Sequence, residues 1–168
     1  MKWLSNLSVA LALCLSAGTS HAADGCTVLL CLAGPWTGIQ ECVPPVVQTL
    51  RDLALGKPFP ACDMSGEGNG ARNAWATEAT CPEMYRNHNQ DNGVYEDCAY
   101  PGRITVVIDG QLWSEMFWTT SGPTSTRYSD YARAQLGDSL DPTYDRDLAA
   151  WEAAHQPPPD CDTCEVGG

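Results

Sequence analysis

GCTVLLCLAGPWTGIQECVPPVVQTLRDLALGKPFPACD, residues 25–63, carries Cys26, Cys31, Cys42 and Cys62, four of the nine cysteines in the chain. Its first part, Cys26 to Ala33, is almost wholly apolar and stops at Gly34-Pro35. That fits one or two turns of buried helix, with a short buried strand as the competing reading because so short an apolar run has no decisive period. On a helix, Cys26 and Cys31 point roughly 140° apart around the axis, which directs each toward a different neighbour. The second part places Val46, Val47, Leu50, Leu53 and Ala54 on one stripe, with Gln48, Arg51 and Asp52 off it. Pro44-Pro45 opens this helix and Gly56-Lys57-Pro58 closes it.

Upstream, residues 1–22 read as a secretory signal: Lys2, an apolar core from Leu7 to Leu15, then small residues with Ser20 and Ala22 before the cleavage point. The core is too short to span a bilayer as a helix. Removing it takes away Lys2 and Cys14, and leaves eight basic residues against 21 acidic ones, a net charge of −13, with eight cysteines. An even cysteine count in an exported chain reads as a disulfide framework. The acidic balance argues against nucleic acid or an anionic membrane as a partner, since both require a basic face.

Downstream of Asp63 the glycine-rich run Gly66-Glu-Gly68-Asn-Gly70 reads as a mobile loop up to Ala79. It lacks the Lys-Ser/Thr ending of a phosphate-binding loop. Trp75 is read as an aromatic lid on the core. Cys81 to His88 is expected to form a short helix led by Pro82. Asn87 to Gly93 alternates side-chain oxygens like a calcium loop, but Asn92 stands where glycine is required, so Asn92-Gly93 reads as a turn. The clearest strand signal is Arg103-Ile-Thr-Val-Val-Ile108, then Asp109-Gly110, then Gln111 to Thr120, a β-hairpin. Ser121 to Thr126 reads as a connector, Tyr128 to Leu136 as a short helix, and Asp141 to Ala154 as a helix with Tyr144, Leu148 and Trp151 on one face.

These elements predict a small α+β fold, mainly α with a β-hairpin, in one disulfide-stabilised domain over residues 23–156. Residues 157–168 form an acidic Pro/Cys tail. Cys161-x-x-Cys164 has the spacing of a redox or zinc pair, yet it follows three prolines in an acidic tail of an exported chain, where a structural disulfide is the expected outcome. His88 and His155 lie in no nucleophile or metal motif, so the sequence indicates no catalytic residue, no metal and no cofactor. Trp113, Phe117 and Trp118 are the candidate partner-binding residues, with core burial as the ordinary alternative.

Cys26 followed by Val28-Leu-Leu-Cys31-Leu32-Ala-Gly34, then Gly38-Ile-Gln-Glu41-Cys42, a helix and Cys62, resembles the start of the TrbM/KikA/MpfK family of conjugal transfer proteins. Ala33 replaces a frequent serine of that pattern, and an additional leucine separates the first two cysteines. The resemblance implies a periplasmic accessory of plasmid conjugation, supporting mating pair formation or assembly of the channel or pilus of a type IV secretion system. It implies protein partners from that apparatus and no established catalytic activity. Cys26, Cys31, Cys42, Cys62, Cys81, Cys98, Cys161 and Cys164 are then the structural cysteines, with neighbours such as Cys81 and Cys98 as expected partners. The rivals are a secreted cell-wall hydrolase using an acidic pair and a secreted binding module using the aromatic face of the hairpin.

Overall fold

The computed structural model describes residues 23–156. The predicted signal segment and the tail with Cys161 and Cys164 lie outside the described residues. Among the described residues, four helices, α1 (Gly25–Leu32), α2 (Val43–Ala54), α3 (Asp130–Leu136) and α4 (Thr143–Ala154), accompany six strands. The strands are β1 (Gly70–Trp75), β2 (Arg86–His88), β3 (Tyr95–Cys98), β4 (Gly102–Ile108), β5 (Gln111–Trp118) and β6 (Thr124–Tyr128). β1, β4, β5 and β6 form a four-stranded antiparallel sheet in that order, and β2 pairs with β3 in a separate ribbon.

The expectation of a mainly helical fold is corrected here, because 34% of the described chain is helical and 25% is strand, and the sheet is the central layer. Three elements changed type. The glycine-rich segment read as a mobile loop ends in β1, and the connector read between Ser121 and Thr126 contains most of β6. The short helix expected from Cys81 is a 3₁₀ turn at Glu83–Tyr85 followed by β2. Gly70-Ala-Arg-Asn-Ala-Trp75 has no β-branched residue, so its extended form comes from backbone bonds to β4 and not from local preference. β1 and β6 are the two edges of the sheet, where short strands are the rule.

Other readings match what the chain does. The helix reading of α1 holds, and Asp24, which sequence reading did not single out, caps it, its carboxylate accepting from the Thr27 backbone N–H at 2.9 Å. Val46, Leu50 and Leu53 of the expected α2 stripe are buried and Thr49 joins them in an i, i+3, i+4, i+7 set, whereas Val47 is half-buried and Ala54 exposed. Asp109 and Gly110 both take positive φ, 52° and 74°, as the tight turn between twisted strands requires. That turn is clasped from outside, since the Asn69 side chain accepts from the Asp109 N–H at 2.8 Å and the Gly68 carbonyl accepts from Gly110 at 2.8 Å.

The two sheet faces are covered differently. α1 and α2 pack on one face against Ile104, Val106, Met116 and Trp118, forming the larger core. On the other face Phe117 meets Tyr85 beside β2 and Tyr144 of α4, closed by the Cys81–Cys98 disulfide. A β-bulge decides where Trp113 goes. Val107 pairs with Leu112 and Val106 with Ser114, so Trp113 has no partner and is turned into the larger core. There its indole N–H donates to the Ala33 carbonyl at 2.7 Å, fixing the end of α1 to the sheet.

Candidate functional site

All six cysteines of the described region are oxidised. Cys26 bonds Cys62, Cys31 bonds Cys42, and Cys81 bonds Cys98. The first two tie α1 to both ends of the segment carrying α2, so the stretch from Gly25 to Asp63 is one doubly closed helical unit. Such bonds place the folded chain in an oxidising compartment. No helix among the described residues is long and apolar enough to cross a membrane.

The three aromatic residues proposed as a platform are not brought together on a surface. Trp113 is 7% exposed, Phe117 and Trp118 are 0%, and Phe117 faces the opposite side of the sheet from the other two. Each is a core residue: Phe117 stacks on Tyr144 with centroids 6.1 Å apart, and Trp113 meets Tyr131 edge-on at 5.6 Å. The aromatic that does reach solvent is Trp75, 53% exposed at the end of β1, with one side against Trp118 at 5.6 Å. It lids the core edge while half its surface stays outside.

His88 and His155 are both exposed: His88 lies edge-on against Tyr95, and His155 stacks on Trp151. Among the described residues no group of three or more His, Cys, Asp or Glu side chains is placed to hold a metal ion.

The main concentration of charge on the sheet is one that sequence reading passed over. Glu115 in β5 is 6% exposed and lies between Arg103 of β4 and Arg127 of β6. Arg103 donates to its Oε1 at 2.9 Å, and Arg127 donates to its Oε2. The register explains the geometry, because Glu115 stands directly opposite Arg127 and diagonally across from Arg103. Burial by itself would lower the Arg127 pKa, but the bond to Glu115 holds it above the ordinary arginine value. The Arg127 guanidinium also sits 5.9 Å from the centroid of the Tyr144 ring.

Removing Glu115 leaves two arginines facing each other with no counter-charge. Arg103 is only 20% exposed in its side chain, whereas Arg127 at 48% can rehydrate, so the loss is smaller than for a fully buried pair. Glu115→Ala is expected to destabilise the protein by about 2 kcal/mol, read as a fall in the urea midpoint at constant slope. A change below about 0.5 kcal/mol, the range of exposed pairs, would show that the network is solvated.

Outward from this network lies a pocket of about 360 Å³, bounded by the Thr80–Arg86 segment, Arg103, Arg127 and the Tyr144–Leu148 side of α4. Arg86 is its third guanidinium, held by an Nε–H bond to the Cys81 carbonyl at 3.0 Å and an ion pair to Glu83. The Cys81–Cys98 disulfide anchors the segment that supplies both. Behind it, the Tyr85 hydroxyl donates to Asp147 at 2.7 Å and, with its one proton used, accepts from Ser125 at 2.8 Å. Burial raises the Tyr85 pKa well above the ordinary tyrosine range, with the Asp147 carboxylate adding to it, so the hydroxyl stays neutral and serves as a strut.

A second concavity, about 420 Å³, lies on the other side against α1, where Leu30 and Met64 are 76% and 86% exposed beside Leu29 and Ile108. No family model matches the chain, and no match was found among curated proteins or solved structures.

Proposed function

We propose that the chain is an exported, non-enzymatic accessory of plasmid conjugation, acting in the periplasm as a protein-binding part of a type IV secretion apparatus. The observation that carries this reading is the Gly25–Asp63 unit. The residues that resemble the conjugal transfer family, from Cys26 through Gly34 and Glu41-Cys42 to Cys62, coincide with the helical unit closed by the Cys26–Cys62 and Cys31–Cys42 bonds. Cysteines at this spacing are thus the fastening of one structural part. The apolar concavity at Leu30 and Met64 belongs to the same unit, which gives it a surface suited to a protein partner.

The test is genetic. Clean deletion of the gene from its plasmid is expected to lower transfer frequency at least a hundredfold, with wild-type levels restored by a copy in trans. Restoration should fail when the copy carries Cys26→Ser with Cys62→Ser. Unchanged transfer in both liquid and surface matings would overturn the reading.

A further inference from the structure

We propose that the pocket framed by Arg86, Arg103 and Arg127 binds a carboxylate, specifically the free C-terminus of a polypeptide with an apolar last residue. The inference does not depend on the conjugation reading, because it rests on the pocket alone.

Charge concentration is the first reason. The chain carries a net charge of −12, with nine Lys and Arg in total, and three of these arginines come from three separate strands to one pocket. Arginines in so acidic a protein would disperse among its carboxylates if solvation were their only role. Here two of them hold the buried Glu115 behind the pocket wall, and the third is fastened to a backbone carbonyl. Their positions are set before any ligand arrives, which reduces the ordering cost of binding.

The second reason is an unused donor. The Nε of Arg103 is buried and has no hydrogen-bond partner among the described residues. A buried N–H without a partner is costly and uncommon in a folded protein, so the cluster's own carboxylates do not use the full donor capacity of the Arg103 guanidinium.

The third reason concerns which anion fits. Three guanidiniums set against Glu83 and Glu115 leave a single positive charge, which matches a carboxylate better than a doubly charged phosphate. Guanidinium presents planar paired donors that suit a carboxylate's two oxygens. Beside the charges, Pro82, Met84 and Leu148 give the pocket an apolar flank, where the side chain of a last residue would rest. The volume, about 360 Å³, is at the small end of ligand sites, enough for a chain end but not for a folded surface. Capture of a terminal carboxylate is an established mode of peptide recognition.

The experiment uses the exported protein with its disulfides intact and a fluorescent pentapeptide ending in leucine, as free acid and as amide, followed by anisotropy. The free acid is expected to bind at least tenfold more tightly than the amide. Arg127→Gln should abolish that difference. Since Arg127 also braces Glu115, a second variant, Arg86→Gln, keeps the test independent of folding, because among the described residues its side chain bonds to exposed Glu83 and the Cys81 carbonyl alone. It should weaken acid binding at least fivefold with an unchanged melting temperature. Inorganic phosphate is the competing probe and should displace the acid peptide only at far higher concentration. Equal binding of acid and amide, no binding of either, tighter binding of phosphate than of the peptide, or acid binding that survives both substitutions overturns the proposal.

Discussion

Full reduction at neutral pH is expected to unfold this protein, with loss of its near-ultraviolet circular dichroism and of a cooperative thermal transition. The bonds close loops of 36, 11 and 17 residues. In the chain-entropy account, each restricts the unfolded ensemble by about 3–4 kcal/mol. The Cys31–Cys42 loop lies inside the Cys26–Cys62 loop, so the inner bond already shortens the outer one and their effects do not add fully. The three together still contribute roughly 8 kcal/mol, comparable to the whole stability of an ordinary domain, about 5–15 kcal/mol. Native contacts add to this dependence. α1 is only eight residues long, below the length at which a helix is stable by itself. Its position beside the sheet relies on Cys26, Cys31 and the Trp113–Ala33 hydrogen bond. Removing the smaller-face bond alone, with Cys81→Ser and Cys98→Ser, should cost about 3 kcal/mol. A reduced protein that keeps its spectrum and melts within a few degrees of the oxidised one would show that packing suffices without the bonds.

The sequence made some of this legible and hid the rest for physical reasons. α1, α2 and the β4–β5 hairpin were readable because their signals are local: an apolar run stopped by Gly34-Pro35, for which a short strand was the competing reading, an apolar stripe after two prolines, and Asp109-Gly110 after a β-branched run. β1 and β6 were not readable, because an edge strand takes its form from the neighbour it pairs with, and Gly70–Trp75 has almost no strand preference of its own. Those two omissions led to a fold expected to be mainly helical. The arginine pocket was hidden by a single residue. A plain two-residue turn would place Arg103 opposite Met116, but the bulge at Trp113 moves it opposite Phe117 and brings Glu115 within reach. A bulge of this kind changes which side chains share a face, and its insertion has no clear mark in Gln111–Trp118. The same bulge turns Trp113 to the face of Trp118, while the ordinary alternation of β5 sends Phe117 to the other, so the three candidate binding aromatics take the core burial that was their alternative, divided between two cores.

Gly102→Ala is expected to be among the most damaging single substitutions in the sheet. A Cβ at this position would lie 2.0 Å from Cε2 and 2.3 Å from Nε1 of Trp118, both inside any permitted contact. Gly102 faces Trp118 on β5 and Trp75 on β1, and the Trp118 ring lies flush on its α-carbon. Trp118 has no exposed surface, and its indole N–H donates to Asn73 at 2.9 Å, so the ring cannot move away without opening the core and losing the bond that joins β5 to the edge strand. The strain and the repacking together should cost about 3 kcal/mol, a fall in melting temperature of roughly 10 °C for a domain of this size. Gly70→Ala is the matched control, since a Cβ there meets nothing within 4 Å. It should be neutral or slightly stabilising through the unfolded state. The collision itself is isolated by a double-mutant cycle with Trp118→Phe, which deletes the Nε1 edge that the added methyl group would strike. If the clash is the cause, the double variant will be more stable than the sum of the two single losses predicts, by about 1–2 kcal/mol. Additive losses would place the effect of Gly102→Ala in the backbone of β4 and not in its contact with Trp118.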